Sequence, residues 1–178
     1  MTQGSLIVGS HVYFVRDGDA YTIPGAGTAG RNAKPGATDT SWNDLGIIET
    51  AGVTPSQEER KVYAPTPGRL RLYDVHTTKN ELDIKLGLEE MSPLVWELLF
   101  GTLPLTGAST QYNPLAAPSK KGWLKLQQYR GDNDAAFNTV DVYVKIKVDG
   151  ETKFDDNIIK TNLTCMVLHS TLNTGVLS

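Results

Sequence analysis

Residues 139–149 read TVDVYVKIKVD: Val140, Val142, Val144, Ile146 and Val148 fall on one side of an extended chain, and Asp141, Tyr143, Lys145 and Lys147 on the other. A period of two over this length marks a β-strand with one dry face and one wet or interfacial face. Asp149-Gly150 follows. Both residues accept the positive φ of a tight two-residue turn, so 152–154 is expected to return against this strand.

Working outward, the same alternation recurs in 81–88, where Leu82, Ile84, Leu86 and Leu88 alternate with Glu81, Asp83, Lys85 and Gly87. Residues 69–77 precede it, and the polar TTKNE between the two runs reads as a hairpin connection. Shorter strands are expected at 5–15, 61–64, 122–129 and 158–168. Together these elements predict a mainly β, mostly antiparallel domain with one helix rather than a βαβ fold.

That helix lies in EEMSPLVWELLFG, residues 89–101. Ser92 can cap its free amides, Pro93 has no amide to leave unpaired at the first helical position, and Gly101 suits the left-handed residue that ends a helix. Leu94, Val95, Trp96, Leu98, Leu99 and Phe100 cover most of the circumference and leave Glu97 as the expected solvent-facing side chain. Two turns are marginal alone, so the helix must bury this surface against a sheet or another subunit. Leu94, Trp96, Leu98 and Phe100, with Trp42 elsewhere, are therefore candidate packing or interface residues.

The 178 residues are expected to form a single domain with a substantial core. A net charge of -3, with acids and bases mixed along the chain, is unlike a sequence-reading nucleic-acid binder. Cys165 is the sole cysteine, which excludes an intramolecular disulfide. The opening MTQGSLIVGSHVYF lacks the basic region and apolar run of a signal peptide, and no stretch has the apolar length of a membrane helix. Synthesis in a cytosol-like compartment without membrane insertion is expected. Asn162-Leu163-Thr164 matches a glycosylation acceptor only by spacing.

Two stretches lack periodicity. Residues 17–41 are rich in glycine, alanine, threonine and proline, and 102–121 carries Pro104, Pro114 and Pro118. Connections this long are usually functional or disordered. An arm that orders across a neighbouring subunit fits both.

Sequence motifs for chemistry fail on context. Gly25-Ala-Gly27-Thr-Ala-Gly30 matches the glycine run of dinucleotide sites, but Pro24 precedes it and no helix opens after it to meet a phosphate. His11, His76 and His169 lie on different expected strands without metal-ligand spacing. Cys165 sits among apolar residues as a small core side chain. Asp132-Asn-Asp134 begins like a calcium loop but departs at Ala136 and Phe137. Glu58-Glu59 and Glu89-Glu90 carry no information about a cleft. Trp42, Trp96, Trp123, Tyr129 and Tyr143 bury area rather than stack on bases, since no basic stripe accompanies them. No enzyme, cofactor or metal site is expected.

Three segments in order, Trp42-Asn-Asp-Leu-Gly-Ile-Ile, then 67–90 running into SPLVWELLFG, and the strand 140–150, resemble the major tail tube proteins of long-tailed bacteriophages. There an early W-x-x-L-G segment and a long hairpin precede a short helix and more strands. The resemblance spans 42–168; the glycine-rich 25–36 segment departs from it. It implies an antiparallel β-sandwich or β-barrel-like subunit that self-associates into hexameric rings, stacked as a hollow tube through which the genome passes.

It further implies lumen-forming strands at 69–88 and 140–148, with Asp83, Lys85, Asp141 and Lys145 as candidate lumen-facing side chains. Their mixed charge, with some acidic excess, would limit sticking of a moving polyanion. Assembly arms are implied at 17–41 and 46–60. Tape measure and terminator proteins would be partners, DNA a transient non-specific neighbour, and the virion tail the location after assembly in the host bacterial cytoplasm. The alternatives are a head–tail connector or tail terminator ring, or a carbohydrate- or receptor-binding β module.

Overall fold

The computed structural model describes residues 7–90, 92–100, 102–103, 111–112, 119–130, 136–153 and 160–177. The fold is mainly β with one short helix. The strands are β1 (Ile7–Arg16), β2 (Ala20–Tyr21), β3 (Gly27–Thr28), β4 (Asn43–Thr66) and β5 (Arg69–Leu88), then β6 (Thr102–Leu103), β7 (Gln111–Tyr112), β8 (Ser119–Arg130), β9 (Ala136–Val148), β10 (Thr161–Val167) and β11 (Thr174–Leu177). Helix α1 (Pro93–Phe100) separates β5 from β6.

Seven strands form one antiparallel sheet in the order β10-β5-β4-β1-β8-β9-β11, with β2–β3 and β6–β7 as separate small ladders. β10 also pairs with β9, from Leu163 opposite Val148 to Val167 opposite Val144. Its other edge bonds to β5, from Thr161 opposite Leu88 to Met166 opposite Asp83. β10 is therefore wedged between the ends of the strand series.

Two expected hairpins differ from expectation. TTKNE is not a connection, because β5 runs unbroken from Arg69 to Leu88. Its polarity reflects a ribbon wet on both faces: Lys79 meets Glu81 at 3.0 Å and Glu58 at 3.7 Å. The partner of β5 is β4, and their two-residue connection is Pro67-Gly68, between Thr66 and Arg69. Gly68 has φ 81° after a proline with fixed φ, the combination a Pro-Gly turn requires. Asp149-Gly150 does turn, with φ 80° at Gly150, but 152–153 form no strand. Among the described residues the chain next pairs with β9 through β10, and the Asp149 amide donates to Asn162 O at 2.8 Å.

The main core lies on the inward face of the sheet. Val12 and Phe14 from β1, Leu45 from β4 and Ile84, Leu86 and Leu88 from β5 meet Leu124, Val142, Val144, Ile146, Leu163 and Cys165. Leu94, Val95 and Leu98 of α1 join the same cluster. Each such burial contributes about 1.5–3 kcal/mol, which the two-turn helix could not supply alone. The Ser92 hydroxyl accepts from the Val95 amide at 3.4 Å, as expected of a cap. Gly101 lies outside the described residues.

Glu97 does not face solvent. It is 8% exposed, and Arg16 Nη1 and Lys120 Nζ reach its carboxylate at 2.6 and 3.2 Å. A helix lying over the sheet turns even its polar side towards strand ends, here the end of β1 and the start of β8.

The stretch 17–41 does not extend away from the domain. It folds over the outer face of β1, β8 and β9, where Val15, Ala29, Trp123 and Tyr143 form a second buried cluster flanked by Tyr21, Trp42 and Leu168. With few large apolar residues of its own, this layer is fastened by side chains that reach its backbone. Trp123 Nε1 donates to Gly30 O at 2.8 Å, Trp42 Nε1 to Gly36 O at 2.8 Å and Lys125 Nζ to Ala37 O at 2.8 Å. Asp39 knots the layer internally, accepting from the amides of Thr22, Ile23 and Ser41 at 2.7–2.8 Å.

Candidate assembly surface

The second expected arm, 46–60, is one strand of a much longer projection. Among the described residues, beyond Asp83 no strand other than β4 pairs with β5, and beyond Ile47 none other than β5 pairs with β4. From Pro55 opposite Leu82 to Thr66 opposite Arg69 the hairpin is a free two-stranded ribbon, about 40 Å long at the rise of an antiparallel strand. Both outer edges of that ribbon leave backbone donors and acceptors without strand partners, the usual template for pairing with another chain.

Its apolar side chains are also uncovered by other described residues. Of the large hydrophobic side chains exposed among the described residues, all but Ile23 and Leu172 lie on this hairpin. Directly opposed residues share a face. Tyr63 opposes Leu72, Pro65 opposes Leu70 and Lys61 opposes Val75, which gathers Tyr63, Pro65, Leu70, Leu72 and Val75 into one stripe. Leu70 is 68% exposed and Leu72 53%. β4 alternates without a bulge from 53 to 66, so this face is the continuation of the one on which Val53 opposes the buried Ile84. The core-side face of the sheet thus continues along the ribbon, is polar at Gln57, Glu59, Thr77 and Asn80, and is apolar again at the tip, where no other described residue covers it. Register irregularities at Glu58/Glu59 and Val62/Tyr63 leave Thr78 and Tyr73 unopposed on β5 and add local twist.

The candidate lumen residues divide. Asp83, Lys85 and Lys145 lie on the outward face of β5, β10 and β9: Asp83 opposes Met166, which opposes Lys145, which opposes Lys121, and one row along Lys85 opposes Thr164, which opposes Lys147. Lysines outnumber aspartates there, contrary to the expected acidic excess. Lys85 comes within 4.0 Å of Asp149 at the rim of a hollow of about 330 Å³ whose lining holds no other titratable group.

Asp141 faces outward too, but under the 17–41 layer. It is 7% exposed and paired to Lys34 Nζ at 2.9 Å, so it lines no open surface. Beside it Lys125, 3% exposed, has its Nζ 3.9 Å from the centroid of the Trp42 ring. Burial pulls the Lys125 pKa down, against the opposing pull of Asp141.

Among the candidate packing residues, Leu94 and Leu98 are core, Trp96 is half-buried and Trp42 belongs to the outer cluster. The Phe100 side chain lies outside the described part. The ribbon tip was missed as a candidate, although the Pro67-Gly68 dipeptide and the alternation in RLRLYDV were both in view.

The other motifs stay apart. His11 stacks on Tyr13 and meets Tyr129 edge-on, His76 pairs with Asp74 on the ribbon, and His169 is exposed after β10. Among the described residues no three His, Cys, Asp or Glu side chains gather as a metal site would need. The 25–30 glycine run passes through β3 and opens no helix. Asp132-Asn-Asp134 lies outside the described residues. No helix among the described residues is long and apolar enough to cross a membrane. No protein-family model and no curated protein matches the chain.

Proposed function

We propose that this chain is a self-assembling structural subunit of the tail tube kind, forming hexameric rings that stack into a hollow tube for genome passage. The observation that carries this reading is the free ribbon of β4 and β5, with open edges and an uncovered apolar stripe on a chain whose core is otherwise closed. A two-stranded ribbon is marginal by itself in water and gains its stability from what covers it. The double pairing of β10, to β5 and to β9, supports the barrel-like body that the family resemblance implies. No bond chemistry is involved, and tape measure and terminator proteins of a virion tail would be its further partners.

In such a tube Lys85, exposed, and Asp83 and Lys145, half-buried, are the lumen candidates that stay accessible. With Lys121 and Lys147 beside them, passing DNA would interact in a salt-dependent way.

Negative-stain electron microscopy of the purified protein over a range of protein and salt concentrations tests the reading. Stacked hollow rings with six-fold end views are expected. Isolated rings that never stack would favour a connector or terminator. Dispersed single particles at all concentrations, with saturable glycan binding, would replace assembly by a receptor-binding role.

A further inference from the structure

The ribbon that carries the apolar stripe is also charged at its tip. Arg60, Lys61, Arg69 and Arg71 stand there against Asp74, while the chain as a whole carries -3. A group of acids stands at the hairpin's other end. Ile48 opposes Leu88, which brings the carboxylates that follow each of them to one place. Lys160 Nζ spans Glu49 at 2.7 Å and Glu89 at 3.3 Å. The Gly46 amide donates to Asp44 at 2.8 Å, and a Cβ on Gly46 would come within 2.9 Å of the Glu90 Cβ. Asp44, Glu49, Glu89 and Glu90 therefore cluster at the base of the ribbon whose tip is basic.

Resting on the reading of the chain as an assembling subunit, we propose that the ribbon tip of one copy docks on the acidic ribbon base of a second copy of this chain, covering the stripe of Tyr63, Pro65, Leu70, Leu72 and Val75. The geometry excludes the intramolecular version, since Thr66 at the turn and Glu49 at the base are held about 58 Å apart by the ladder. Tip-to-tip pairing brings four cations of one copy against four of the other. Tip-to-base pairing opposes unlike charges and sets the register of the apolar contact. It is also heterologous: each copy offers one tip and one base, so the contact propagates into a closed ring or an open stack instead of stopping at a dimer.

A charge exchange tests it. The tip variant carries Arg69→Glu and Arg71→Glu, the base variant Glu49→Lys and Glu90→Lys, and circular dichroism checks that both fold. By light scattering, either variant alone is expected to raise the concentration at which assembly begins by about tenfold or more. An equimolar mixture regains assembly, because each altered tip then meets an altered base. Leu72→Asp loses assembly and is not rescued by mixing.

Variants that assemble as the unaltered chain does would overturn the tip-to-base contact while leaving the tube reading intact. A mixture that stays monomeric overturns the pairing of these two surfaces. An unaltered chain that remains monomeric at every concentration overturns both the contact and the subunit reading beneath it.

Discussion

The carboxylate of Glu97 lies 2.6 Å from Arg16 Nη1, across 81 residues of sequence, and ties α1 to the end of β1. Lys120, at 3.2 Å, holds the same carboxylate from β8. Glu97→Ala leaves two cations facing each other beside the core, and a hydrogen bond to a charged group is worth about 1.5–3 kcal/mol. A loss of that size is expected in urea denaturation, with Glu97→Gln falling between the variant and the native chain.

Gly122 opposes Arg16 in the ladder of β1 and β8. A Cβ there would stand 2.0 Å from the Val15 carbonyl oxygen and 2.8 Å from Phe14 Cζ. Phe14 could shift, but the backbone of β1 could not without breaking its ladder to β8. Gly122→Ala is expected to cost about 3 kcal/mol, the upper end of overpacking penalties, seen as a lowered urea midpoint. Gly52, with open space around the corresponding position, tolerates the same change in the same assay.

Hydrogen bonds from Ser41, and then from Ile23 and Thr22, hold the Asp39 carboxyl well below its ordinary value of 3.8. On acidification the unfolded chain takes up the proton before the folded chain does. Stability from this site is therefore complete above the ordinary value and is lost as pH falls through the depressed one. Asp39→Asn turns an amide donor towards backbone donors, so its Tm is expected to be lower at neutral pH. That gap should narrow as pH is lowered below about 4 in a thermal melt series.

Burial, and then the charge of Asp83, pushes the Cys165 thiol up to about 12. A neutral thiol inside the core is a poor nucleophile. Iodoacetamide at pH 8 is expected to leave the native chain unlabelled over hours and to label it stoichiometrically in urea, read by mass spectrometry. Rapid native labelling would mean that β10 opens from between β5 and β9.

Much of the sheet was legible because alternation is a local property. The faces of β9 and the core side of β5 follow directly from TVDVYVKIKVD and ELDIKLGL. Polarity misled at TTKNE, where a ribbon wet on both sides has the composition of a turn, and at Glu97, whose burial depends on two cations distant in sequence. Residues 17–41 show no period for a related reason. What holds that layer down is mostly side chains of β8 reaching its carbonyls, and no period in the layer's own sequence records them. The expected lumen set split because Asp141 and Lys145 alternate correctly on β9, yet the covering layer ends between them.

The wedging of β10 has a consequence for synthesis. β4, β5 and β1 can begin to pair through near neighbours, but β5 and β9 are bridged only when residues 161–167 have been made. Until the ribosome has released them, a nascent chain presents two raw strand edges in addition to those of the ribbon, at a stage when many copies emerge close together. Premature termination before Thr161 should therefore yield aggregates, because β10 is the strand that bridges β5 and β9.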